Sequence, residues 1–227
     1  MTRYSRQTRM LVAVDCIIFG FDGQDMKLLL IQRAFEPEKG KWSLMGGFVQ
    51  QDESFEEAAS RVLKKLTGLE GVYMEQLHAF SDTYRDPIER TASVAFFSLI
   101  DINQYTKQIS HEYHAEWFSL HKIPEVIFDH KEMIDMAREK LRYKAAIHPI
   151  LFELLPEKFT LTQLQSLYEA VLDKKLDKRN FRKKMLSYGF LKELDEKQKG
   201  VSYRAAKLYK FDKRKYGKIF QGEMNLV

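Results

Sequence analysis

Apolar runs of strand length fill much of the first part of the chain. Leu11 to Phe19 and Lys27 to Gln32 are two of them, joined by the turn-rich Gly20-Phe21-Asp22-Gly23-Gln24-Asp25, which predicts a hairpin. Val72 to Phe80 and Thr91 to Ile100 predict two more strands, and Trp117-Phe118 a last short one. Between these runs the spacing becomes helical. Phe55, Ala58, Ala59, Val62, Leu63 and Leu66 share one face, Asp52 to Ser54 offer a cap, and Gly68 provides the stop. Gly46-Gly47 is expected to break the strand-like Trp42-Ser43-Leu44 ahead of that helix. Ile134, Ala137 and Leu141 predict another helix from about Lys131 to Lys144, with Asp129 and His130 read as its cap.

His148-Pro149 and Pro156 punctuate the chain where its composition shifts, so two domains are expected, 1–148 and 149–227. After the break, Thr160 caps a helix, Gln163 reaches back to it and Phe159 packs on Leu164, with Leu161, Leu164, Leu167, Tyr168 and Val171 on the buried face. Asp177 caps a second helix that runs to a stop at Gly189. At 100° per residue Phe181 and Met185 share one side, while Arg179, Asn180, Lys183, Lys184 and Ser187 take the opposite arc and Lys178 and Arg182 flank it. Phe190 to Leu194, a polar turn from Asp195 to Gly200, then Val201 to Arg204 and Leu208 to Phe211 predict a small sheet with a wing.

Charge sharpens the division. Residues 1–149 carry 19 Lys+Arg against 22 Asp+Glu, whereas residues 150–227 carry 18 against 10, so the overall +5 resides in the C-terminal third. A short turn followed by a basic helix carrying an Asn matches a helix-turn-helix for double-stranded DNA. Arg bonds guanine edges, Asn adenine edges, and Lys neutralises phosphates. The candidate DNA-binding residues are Lys178, Arg179, Asn180, Arg182, Lys183 and Lys184. The single cysteine, Cys16, excludes disulfides and cysteine-based zinc sites within one chain, and its apolar surroundings suit a buried structural thiol. The N-terminal apolar run is too short for a membrane span, is broken by Asp15 and lacks a signal-peptide cleavage pattern, so a cytoplasmic setting is expected.

The strand, glycine loop, helix, glycine order of GGFVQQDESFEEAASRVLKKLTGL resembles the Nudix signature, with Gly47, Glu53, Arg61, Leu63, Gly68 and Leu69 in register. The three other glutamates of that signature are replaced by Val62, Lys65 and Leu66, which removes the carboxylates that gather divalent cations beside a diphosphate. The resemblance therefore implies the scaffold without metal or other cofactor and without catalytic residues. Including RDPIER, IFDHKEM and FTLTQLQSLYEAVLDKKLDKRNFRKKML, nearly the whole chain resembles the Nudix-related transcriptional regulators of the NrtR type.

That resemblance implies an α+β chain: an N-terminal Nudix-like α/β/α sandwich that senses a small-molecule effector, and a C-terminal winged helix. It further implies a homodimer on a palindromic operator. Arg33, Phe48, Glu53, Lys65, Arg85 and Arg90 are the candidate effector-binding residues, with the RDP loop read equally as a turn. The effector is a pentose sugar such as L-arabinose, the choice favoured by the missing glutamates and one that would serve carbohydrate catabolism, or ADP-ribose. Two other readings compete: a Nudix hydrolase acting on ADP-ribose or a related diphosphate, and a silent protein-interaction adaptor.

Overall fold

The computed structural model describes residues 7–105, 114–147, 150–198 and 205–217. β1 (Leu11–Phe21) is the centre of a mixed sheet, and its alternation decides the layers. Val14, Cys16 and Ile18 point to one face, while Ile17, Phe19 and Phe21 point to the other. β1 pairs antiparallel with β2 (Met26–Gln32), forming the expected hairpin, and parallel with β6 (Thr91–Asp101). β5 (Tyr73–Phe80) lies outside β6, while β7 (Glu116–Ser119) and β3 (Trp42–Ser43) pair with β2.

α1 (Phe55–Thr67) covers the first face. Ser54 and Glu57 close its N-terminus as a capping box, and Gly68 ends it at φ 78°. α3 (His130–Ile147) covers the second face, so the sheet is sandwiched as expected; a short α2 (Ile102–Tyr105) follows β6. The α3-side core does not stop at the expected domain boundary. It continues through Leu151, Phe152 and Leu155, near a 3-10 turn at Ile150–Leu154, into α4 (Leu161–Leu172) and α5 (Lys178–Ser187).

α4 carries the Thr160–Gln163 capping box, and Asp177 caps α5 by accepting from the Asn180 amide at 2.8 Å. β8 (Leu191–Lys197) and β9 (Lys207–Phe211) form a hairpin whose Tyr209 exchanges backbone bonds with Phe159. At the seam, Arg142 of α3 donates from Nε to the Val171 carbonyl at 3.2 Å, satisfying one of the carbonyls left open at the end of α4.

Three expectations are corrected. Gly46 and Gly47 do not break a strand; they lie within β4 (Met45–Phe48), paired with β1. A Cβ on Gly46 would stand 2.4 Å from Asp15 Oδ1, and one on Gly47 2.8 Å from Val62 Cγ2, so the pair is there for close approach. His130 and Asp129 do not cap α3 through their side chains, because both are engaged elsewhere. The polar turn expected to begin at Asp195 starts later, since β8 runs to Lys197. Val201 to Arg204 and His148-Pro149 lie outside the described residues.

Candidate effector groove and nucleic-acid interface

β4 threads between two groups of side chains. At one end, the Leu44 amide donates to His130 Nδ1 at 3.1 Å, and His130 Nε2 lies 3.6 Å from Asp15 Oδ1. Asp15 also accepts from Ser93 Oγ at 2.6 Å and lies 3.5 Å from Arg85 Nη2. Arg85 in turn grips Asp129 with two bonds, Nε to Oδ2 at 2.7 Å and Nη2 to Oδ1 at 2.8 Å. The Arg85 side chain is only 4% exposed. Burial lowers the His130 pKa despite the two nearby aspartates, which favours the neutral ring. Neutrality is also what an Nδ1 acceptor requires.

Above this network lies a groove of about 620 Å³ lined by His78, Ser81, Tyr84, Arg85, Phe128 and Glu132 among others. Phe128 holds φ at 50°, a left-handed conformation that costs an aromatic residue about 1–3 kcal/mol and is characteristic of functional sites. The Arg33 guanidinium lies 5.5 Å from the Phe128 ring and 4.3 Å from the Phe35 ring. Tyr84 is almost fully exposed on the loop between β5 and β6, whose shape Arg90 fixes by donating to the Ser81 and Asp82 carbonyls.

At the other end of β4, Arg61 donates to both Glu53 oxygens, at 2.8 and 2.5 Å, and to the Phe48 carbonyl at 3.0 Å. Those bonds hold the Glu53 carboxyl down at about 2. Glu53 therefore ties loop to helix. Val62 is buried against Gly47, Leu66 packs in the α1-side core, and Lys65 is exposed. Among the described residues no three His, Cys, Asp or Glu side chains are grouped to hold a metal ion. The donor set for the divalent cations of a Nudix hydrolase does not fit here.

Of the six candidates for the effector, the structure brings Arg33 and Arg85 to Phe128, and groups Phe48 with Glu53. Lys65 stands apart on α1, and Arg90 supports the loop. Asp15, Phe35, Phe128 and Asp129 were not among the candidates. Asp15 had left a signal, a lone acid in an apolar strand.

On α5, Phe181 and Met185 are buried and Lys178, Arg179, Asn180, Lys183 and Lys184 are exposed. The side chains of Lys178, Arg179, Lys183 and Lys184 have no hydrogen bond or ion pair with another described residue. Arg182 differs: half-buried, it donates from Nη2 to Thr162 Oγ1 at 3.2 Å and so braces α5 against α4. The wing is different again. Lys207 pairs with Glu193, Lys210 with Glu157 and Lys158 with Glu196. Four of the exposed cations without a partner among the described residues lie on α5; Lys192 and Lys197 of β8 are two others.

The NUDIX domain family model matches residues 9–137, and that of the NrtR DNA-binding winged helix domain matches residues 151–211. An ADPR responsive transcriptional repressor, NtrR, from Acinetobacter baylyi is 36% identical over 210 residues, 91% of this chain and 84% of that protein. An ADP-ribose pyrophosphatase from Methanocaldococcus jannaschii is 38% identical over 133 residues, 59% of this chain and 74% of that enzyme. Shewanella oneidensis NrtR, solved with a 27mer DNA, superposes with a TM-score of 0.81 at 30% identity, covering 91% of this chain and 95% of that one.

Proposed function

Because the chain belongs to the NrtR-type family, in which a NUDIX domain is joined to a DNA-binding winged helix, we propose that it is an ADP-ribose-responsive transcriptional repressor and not a hydrolase. The observation that carries the DNA half is the set of four exposed cations on α5 that have no partner among the described residues. They provide the sequence-independent affinity, and Arg179 and Asn180 the base readout. α5 enters the major groove, and two copies bind a two-fold symmetric operator in the cytoplasm.

For the sensing half, the named relatives favour ADP-ribose over the pentose expected from the sequence. The groove suits it chemically. Phe128 and Tyr84 offer ring faces for a purine, and Arg33, 5.5 Å from the Phe128 ring, offers charge for a diphosphate without a metal. Binding lowers operator affinity only to the extent that ADP-ribose prefers the DNA-free state.

The test uses the full chain. DNA selected from a random duplex pool is titrated with and without ADP-ribose, and hydrolysis is followed in magnesium. Selective retention weakened by ADP-ribose, with no turnover, is the expected result. Turnover abolished by Glu53→Gln would instead establish the hydrolase reading, which the pyrophosphatase relative keeps open.

A further inference from the structure

The outward arc of α5 holds one residue that does not match its neighbours. With Phe181 and Met185 defining the buried side, Lys183 points most directly away from the core; Arg179 and Leu186 lie on one side of it, and Ser187 and Asn180 on the other. Leu186 is 46% exposed. A leucine at such a position is ordinary on a bare surface; here, in the last turn of α5, it borders a cationic face. Lys183 and Arg179, three and seven residues before it, share its side of the helix, so it extends no apolar patch along α5. The next apolar side chain, Tyr188, belongs to another assembly, stacked on Phe190 at 5.2 Å. Among the described residues no buried cluster includes Leu186.

The surface that this arc meets, on the reading above, is the floor of the major groove. Leu186 lies seven residues beyond Arg179, about 10 Å of rise, so a helix lying along the groove carries both side chains over base edges. Of the groups those edges display, only the thymine C5-methyl is apolar; the others are hydrogen-bond donors and acceptors. We infer that Leu186 is a specificity-determining residue that reads a thymine methyl, next to the polar contacts of Arg179 and Asn180. The inference rests on the proposed operator binding and adds to it a chemical identity for one base of the site.

Replacing thymine by uracil removes that methyl and leaves every hydrogen-bonding group of the base in place. DNA is first selected by the full-length protein from a random duplex pool, and each thymine of the selected site is then changed singly to deoxyuridine. One such change per half-site is expected to weaken the wild-type protein by about fourfold, the effect of burying one methyl group. Leu186→Ala should bind the thymine and uracil duplexes equally. Lys184→Ala should weaken both while keeping their ratio. If no uracil substitution matters to the wild type, or if the preference survives in Leu186→Ala, the inference is overturned and operator binding stands. It is also overturned if Leu186→Ala changes the mass of the protein in solution, which would assign the leucine to a protein interface. Failure to select any DNA would remove the proposed function and the inference together.

Discussion

α1 and α5 are both short, amphipathic and closed at their N-termini by side-chain caps, yet they use charge in opposite ways. On α1 three of the five charged groups find partners within the same half of the molecule, Glu57 with the Ser54 amide, Arg61 with Glu53 and Lys64 with Glu70, and the two left over, Glu56 and Lys65, are of opposite sign. On α5 four cations, all of one sign, find none among the described residues, and Arg179 and Lys183 sit four apart, where like charges destabilise a helix by a few tenths of a kcal/mol. A charge balanced locally is scaffold. A charge left unbalanced at a cost to its own helix points to a partner outside the chain.

The strongest way to break this comparison is to remove the unbalanced set. Changing Lys178, Arg179, Lys183 and Lys184 together to Ala should reduce operator affinity at least about 100-fold at moderate salt and flatten its dependence on salt, each lost phosphate contact being worth about 0.9 in the log–log slope. The thermal midpoint should hold or rise, because only repulsion is removed.

Arg85→Ala tests the buried counterpart. It strands Asp129 and Asp15 without their cation and should cost about 3 kcal/mol in urea unfolding, with ADP-ribose binding lost alongside. His130 gives a gentler test. Its pKa is lowered in the folded state, so the unfolded chain takes up the proton first as pH falls, and stability, complete above the ordinary imidazole value near 6.5, declines below it. A thermal midpoint that drops between pH 7.5 and 5.5, and drops less in His130→Asn, is the expected outcome. The smallest effect belongs to the wing. Lys207 is already paired with Glu193, so Lys207→Ala should shift stability by less than about 0.5 kcal/mol and leave the salt slope of DNA binding unchanged.

Much of this architecture was legible in the sequence because it is local. Ser54, Thr160 and Asp177 cap the helices they precede, and the alternation along β1 assigns its two faces without reference to anything distant. What could not be read depends on contacts between remote positions. Asp15, Ser93, Arg85, Asp129 and His130 come from two strands, a loop and a helix start, and no spacing rule joins them. The same holds for Gly46-Gly47. A glycine pair reads as a break until the neighbouring strand brings Asp15 and α1 brings Val62 against it. Leu186 was passed over for another reason: helical periodicity sorts residues into buried and exposed, and an exposed leucine fits neither class.

The bond from Arg142 to the Val171 carbonyl bears on how such proteins diversify. The last turn of α4 is completed by a guanidinium from the other half of the molecule, so a reader transplanted onto a foreign sensor arrives with that carbonyl bare. Viable hybrids should therefore be those whose new sensor supplies an arginine or lysine at the matching turn of its final helix, and a library of grafted chimeras would enrich for it.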